Sequence, residues 1–356
     1  MMMKTALGLP KVTVCVPVHN GARTIARTLE SILAQDYANC EIIVSDNCST
    51  DETAKIVREY AGRGVRYCFN SQTEGGAENN WNYVLSLASG PLIALYHADD
   101  IYTPAMVRHQ AEFFKVHPEA SAVFTMTQTI SEQDRPIRMG SIRLPGELQG
   151  RVCFKFSEYF NALLKYGTFT LVPTMMTRRE VLDKTGSFCW KKFASASDID
   201  LYLRMAKQFG PIGIIDEPLH KYRISGSQGS AVIMRGRTNL PDFYTVIDEH
   251  LNEPEGRRIA EPKSLACYNM YRAADGALCA QNLLVMGKAP EARERLRGAM
   301  AFRHFIMAVN HPKTFVRLLM GLGLLVGINL GVGTFMGRKL SRAYERRNVW
   351  LRKPIK

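Results

Sequence analysis

The sequence predicts an α/β protein: a mixed, mainly parallel open sheet with helices on both faces, followed by a C-terminal helical region. Three observations point there. Short β-rich apolar runs alternate with segments of helical periodicity. The links between them are short, as in a sheet built from strand–helix–strand units. Polar clusters also follow the strands, on the edge where such sheets bind ligands.

Taken in order, residues 12–16 form a β-rich run closed by a turn at 17–21, and Ile25, Leu29, Ile32 and Leu33 then repeat at helical spacing. Residues 41–44 are a second apolar run, and Asp51 can cap the helix that carries Ala54, Ile56, Val57 and Tyr60. Residues 65–69 read as a third strand, 77–88 as a helix stopped by Gly90, and 91–96 as a fourth strand. Pro104 opens another helix, and residues 120–129 form a further strand. Residues 131–150 read as a polar loop and 151–223 as alternating helical and strand pieces. Residues 224–262 look irregular and 264–310 helical. This order brings His19-Asn20, Asp46-Asn47 and the stretch from His97 to Asp100 to one sheet edge as three candidate ligand loops.

The composition agrees. A chain of 356 residues with 46% hydrophobic and 22% charged residues can bury a substantial core and is neither disordered nor collagen-like. Its mean hydropathy of -0.13 excludes a polytopic membrane protein. The net charge of +13 is unevenly spread. Residues 286–356 hold fifteen Lys/Arg and three acids, which leaves +1 for residues 1–285. A nucleic-acid groove along the body is therefore not supported, and no nucleic-acid partner is expected. The eight cysteines form no CxxC pair and no zinc spacing, and residues 1–10 lack the apolar core of a secretory signal. A reducing, cytoplasmic setting is expected.

Three constellations can carry chemistry. Asp99-Asp100 directly follows an apolar strand. Two adjacent acids there suit a hard divalent cation, or else cap the next helix. Asp46-Asn47 with Ser49 and Asp51 is either a turn with a cap or a polar contact to a ligand. Asp198 and Asp200 begin a helix that Ser195 or Ser197 can cap. They either complement its dipole or supply a general base.

The order of these pieces is more specific than any one of them. Val14-Cys15-Val16-Pro17-Val18-His19-Asn20, Ile43-Val44-Ser45-Asp46-Asn47-Cys48-Ser49-Thr50-Asp51, Ala98-Asp99-Asp100, Ser197-Asp198-Ile199-Asp200-Leu201 and Tyr222-Arg223 together resemble the family 2 glycosyltransferases of GT-A fold, over about residues 10–230. The resemblance implies a Rossmann-like catalytic domain over 1–230, leaving a helical extension over 231–310. It implies that Pro17, Val18, His19 and Asp46 line a nucleotide base site, with Gly75 and Asn80-Trp81-Asn82 at a donor-side helix start. It implies that Asp99 contacts the ribose or shares the metal, that Asp100 ligates Mn²⁺ or Mg²⁺ on the diphosphate, and that Asp198 is the base. Arg223, with Ser227 and Ser230, would close over the diphosphate. The implied partners are a nucleotide-diphospho-sugar donor, UDP-linked by preference, and a saccharide or lipid-linked acceptor of cell-envelope polysaccharide. Five positions depart from the common pattern: His19 for Tyr, His97 for an acid, Asn47-Cys48 for Asp-Gly, and Ser197 for Glu.

Residues 311–356 form the basic end. Leu318 to Met336 is an uncharged run containing Gly323, Gly327 and Gly331, with Arg317 before it and Arg338-Lys339 after. A single span would put the basic flanks on opposite sides of a bilayer. An in-plane or re-entrant anchor on an anionic membrane surface avoids that, and a buried apolar hairpin is the alternative. The expected place is the inner face of the cell membrane.

Overall fold

The structure, a computed structural model, describes residues 8–72, 74–137, 141–225 and 237–347. The chain divides into two compact units: residues 1–160 with 168–224, and residues 161–167 with 225–356.

The first unit is the α/β part. It contains β1 (Val12–Val18), α1 (Ile25–Leu33), β2 (Cys40–Asp46), α2 (Thr53–Glu59), β3 (Val65–Phe69), α3 (Gly76–Ser86), β4 (Leu92–Leu95), β5 (Ile101–Tyr102), α4 (Met106–Val116) and β6 (Ala122–Ile130). These are followed by β7 (Cys153–Phe154), α5 (Phe156–Tyr166), β8 (Met176–Arg178), α6 (Arg179–Thr185), α7 (Trp190–Phe193), α8 (Ser197–Gln208) and β9 (Ile212–Arg223). Residues 161–166 of α5 group with the second unit.

The strands form one sheet in the order β3-β2-β1-β4-β8-β6-β9-β5, with β7 on β9. The β3-β2-β1-β4 half is wholly parallel, as the sequence implies. The other half is mixed: β8 runs antiparallel to β4 and β6, while β6 and β9 are parallel. All seven residues of β1 are buried, so it reads as a continuous apolar run. Val12, Val14, Val16 and Val18 share a core with Ile25, Leu29 and Ile32 of α1. Each such side chain contributes about 2 kcal/mol on burial. The β1–β4 ladder ends at Cys15–Leu95, so Pro17 lies beyond it, where its missing donor costs little. The chain leaves β1 toward β2 on one side and has β4 on the other. This reversal opens a crevice at the strand ends, where the His19, Asp46 and His97–Asp100 loops emerge.

The second unit is helical: α9 (Asp242–Asn252), α10 (Pro254–Ile259), α11 (Pro262–Val285), α12 (Ala289–Ala299), α13 (Phe302–Ala308), α14 (Pro312–Asn329) and α15 (Gly333–Arg347). The expected irregular stretch over 224–262 is corrected by α9 and α10, two short helices bounded by Pro241, Pro254 and Pro262. The apolar run at 318–336 is interrupted. α14 ends at Asn329, Gly331 takes φ +76°, and α15 restarts at Gly333. The run is a helical hairpin whose inner residues Leu324 and Ile328 pack with Ala277, Ala280 and Leu284 of α11. A Cβ on Gly321 would lie 2.7 Å from that of Ala277, which is why α14 approaches α11 so closely. Among the described residues no helix is long and apolar enough to cross a membrane.

Candidate active site

The turns after β1 and β2 are tied into one unit. Asn20 and Cys48 both adopt left-handed backbone, with φ of 51° and 56°. Such strain in non-glycine residues persists only when surrounding bonds enforce it. Here Asn20 N–H donates to Ser49 Oγ, Thr50 N–H to Asn20 Oδ1, Gly21 N–H to Thr53 Oγ1, and Ala22 N–H to Asp51. The positive φ at Cys48 accounts for the glycine that commonly stands there.

Within this double turn, Pro17 and Val18 are buried strand residues and His19 is exposed. The Nδ1–H of His19 donates to the Asn47 carbonyl at 2.6 Å and its Nε2 accepts from Asn20, which assigns the neutral tautomer. Asp46 is buried, accepting from Ser49 N–H and the Tyr67 hydroxyl. Asn80 is buried as well. Its Oδ1 accepts from Ser45 Oγ and Asn70, and its Nδ2 donates to the Ser45 carbonyl. The side chain expected at the ligand thus joins the ends of β2 and β3 to α3.

The loop from His97 to Asp100 is braced from four directions. Thr28 of α1 donates to the Ala98 and Asp100 carbonyls at 2.9 and 2.8 Å. Tyr102 stacks on Tyr96 at 3.9 Å and its hydroxyl accepts from His97 N–H. The Asp100 carboxylate is fully buried. One oxygen is 2.9 Å from His220 Nε2 and the other accepts from Arg223 N–H at 2.8 Å. His220, buried on β9, uses its Nδ1 on Thr127. Arg223 is also buried, and its Nε donates to the Asp99 carbonyl. Its guanidinium pairs with Asp134 and reaches the Glu132 carbonyl. Ser227 and Ser230 lie outside the described residues.

His97, Asp99 and Asp100 offer ligand atoms all within 4.8 Å of one another. His97 Nε2 is buried and has no hydrogen-bond partner among the described residues. The ring stacks on Trp81 at 5.6 Å, and burial pushes its pKa down to about 4, so it is neutral at pH 7. An imidazole nitrogen with two carboxylates is a donor set for a divalent first-row metal. His97, which the sequence pattern set aside, sits with the two acids.

Asp198 lies at the start of α8. The expected Ser197 cap does not form. Ala196 is at the N-cap, and the Ser197 hydroxyl is buried without a partner among the described residues. Asp198 itself accepts from Ile199 N–H at 2.8 Å. Burial pushes its pKa up to about 7, partly opposed by that N–H, with repulsion from Glu78 adding to the rise. The approach to this helix is strained at Ala194, with φ 42°. α3 holds both sides of the site. Asn80 enters the strand ends, while Asn82 exchanges two hydrogen bonds with the Phe188 backbone. Trp81 packs on both His97 and Phe188. A Cβ on Gly75, at φ 85°, would collide with Trp190 at 2.5 Å.

His220, Glu78 and Thr28 were not evident from sequence. His220 and Thr28 are single polar residues whose inward direction depends on strand and helix register. The nearness of Glu78 to Asp198 is entirely tertiary.

Comparison with known proteins places this architecture. Residues 13–186 match the family model described as glycosyl transferase family 2. A putative glycosyltransferase, EpsE of Bacillus subtilis, is 35% identical over 119 residues, covering 33% of this chain and 42% of EpsE. Chondroitin synthase of Escherichia coli is 28% identical over 244 residues, covering 68% of this chain and 33% of that protein. An uncharacterized protein of Sinorhizobium fredii is 27% identical over 256 residues, covering 70% of this chain and 26% of its own. The chain thus spans less than half the length of these relatives. In fold, it superposes on residues 1–349 of Staphylococcus aureus TarS with a TM-score of 0.57 at 18% identity, covering 95% of this chain and 92% of that one. A mannosyltransferase of Pyrobaculum calidifontis gives 0.50 at 17% identity, covering 98% and 89%. With the strand order, the three loops at the crevice and the family match in agreement, residues 13–186 form a glycosyl transferase family 2 domain, and the chain has the GT-A fold.

Proposed function

We propose that this protein transfers a sugar from a nucleotide-diphosphate donor, a UDP-sugar by preference, to a hydroxyl of a saccharide or lipid-linked acceptor, with inversion. The observation that carries the reading is Asp198: a partly buried carboxyl raised to about 7, at a helix start that feels Glu78 of α3, the helix whose Trp81 stacks on His97. A base is most effective when its pKa lies near the working pH. A single such base fits direct displacement at the anomeric carbon. The related structures support a nucleotide-sugar donor. TarS is described in complex with UDP and with UDP-GlcNAc, and the mannosyltransferase with GDP-Man and Mn²⁺.

In this reading the double turn of β1 and β2 receives the base, with the exposed His19 as its contact and Asp46 setting the turn. Pro17 and Val18 shape the floor. Asn80 and Arg223 take positioning roles in place of direct contacts, because both are buried and bonded to the protein. Asp99 and His97 would hold Mn²⁺ or Mg²⁺, with Asp100 orienting the loop through His220 and Arg223 and completing the set. A divalent cation there supplies Lewis-acid stabilisation of the charge that develops on the leaving diphosphate. Asp198 takes the proton of the acceptor hydroxyl as it attacks. A lipid-linked acceptor places the enzyme at the cytoplasmic face of an anionic membrane, in cell-envelope polysaccharide synthesis.

A donor panel tests this. Transfer or slow hydrolysis of UDP-, GDP- and dTDP-sugars is followed with Mn²⁺, Mg²⁺ or a chelator. Turnover with a UDP-sugar that the chelator abolishes is the expected result. No turnover with any donor under any metal would overturn the reading. Metal binding is read separately from the quenching of the Mn²⁺ EPR signal, which His97→Ala and Asp99→Asn should each weaken.

A further inference from the structure

We propose that the outward face of α13, α14 and α15 is a docking surface for an anionic lipid bilayer. α14 is apolar on two opposite faces. Leu318, Gly321, Leu324 and Ile328 point inward and are buried. Val316, Leu319, Val326 and Leu330 recur at intervals of three, seven and four on the other side and are exposed, Leu330 at 73%. Phe302, Ile306 and Val309 form a second exposed stripe on and just after α13, with Phe302 at 79%. Phe335, in the first turn of α15, is exposed at 68%. Large apolar side chains gathered like this on one group of helices mark an interaction surface.

Charge selects the occupant. Arg303, Lys313, Arg338 and Lys339 are exposed around these stripes and have no carboxylate partner among the described residues. Residues 286–356 carry a net +12. A symmetric dimer through this face would set the same basic segment against itself. An anionic bilayer offers both a hydrocarbon layer for the apolar stripes and phosphate headgroups for the basic rim. With no helix among the described residues able to span, the contact is in-plane.

The surface deepens the membrane-face reading above, and its test requires no sugar transfer. Full-length protein is sedimented with vesicles of phosphatidylcholine alone and of phosphatidylcholine with 30% phosphatidylglycerol, a probe composition on the order of an anionic leaflet. The expected result is binding to the anionic vesicles at least tenfold above the neutral ones, declining with salt. Phe302→Ser with Val326→Ser should lower that binding at least tenfold while the thermal unfolding midpoint stays that of the wild type, because both sites are exposed. Arg338→Glu with Lys339→Glu should lower it on anionic vesicles only. Wild-type protein that stays in the supernatant with both vesicles would overturn the proposal. So would variants that bind like the wild type, or a solution dimer that the serine variant dissociates, since the occupant would then be a second copy. Donor turnover of the same variants in detergent-free buffer separates failure of this surface from failure of the enzymatic reading.

Discussion

Asp100, fully buried, and Asp198, partly exposed, are two aspartates with opposite surroundings. Asp100 is supplied on both oxygens, by His220 and by the Arg223 backbone N–H. Asp198 accepts from the Ile199 N–H in the first turn of its own helix, is repelled by Glu78, and its pKa rises to about 7. The first environment fixes a loop in place. The second leaves a carboxyl poised to exchange a proton. Two identical side chains thus take different parts through their partners, as paired carboxylates do in enzymes that need both a fixed and a titrating acid.

The comparison is broken most strongly by removing the titrating partner. Asp198→Asn should lower turnover by about 10²–10⁴-fold while nucleotide affinity, measured by calorimetry, changes little. Loss of affinity in step with turnover would make Asp198 a binding residue. Next comes the fixed partner. Asp100→Asn leaves His220 and the Arg223 N–H short of a charged acceptor in a dry interior and should cost about 2–3 kcal/mol in denaturant unfolding. Unchanged stability would show that the brace is not tight.

The smallest effect has the opposite sign. The folded pKa of Asp198 lies above its ordinary 3.8, so the folded state holds the proton more tightly. Folding then weakens as pH rises from about 4 to about 7, and the full cost is present above 7. Asn carries no charge, so Asp198→Asn should raise stability at pH 8 by about 1 kcal/mol and change it little at pH 4. Equal effects at both pH values would mean that no buried charge is relieved. Loss of activity with gain of stability is the signature of a poised group.

The sequence carries one kind of information about this contrast and lacks another. The β-α-β order, the parallel half-sheet and the three loops were legible because apolar period and strand-end polarity are local signals. Asp198 at a helix start was legible for the same reason. That Ser197 is no cap was not, because Ala196 takes the N-cap position just after the left-handed residue Ala194. Asn80 and Arg223 carry polar types that suit either a ligand or an interior network, and only tertiary packing shows that both turn inward. His220 was hidden inside the long strand β9, where period 2 places it opposite Asp100. The apolar run at 318–336 gave no sign of its break at Gly331, since glycine serves both close helix packing and turns.

The central claim is that Asp198 takes the acceptor proton, and the pH dependence of kcat/KM tests it most directly. For the wild-type enzyme the account predicts an acid limb that falls tenfold per pH unit below about 7, and that is missing from the residual rate of Asp198→Asn. A flat profile between pH 5 and 8, or the same limb surviving in the variant, would contradict it.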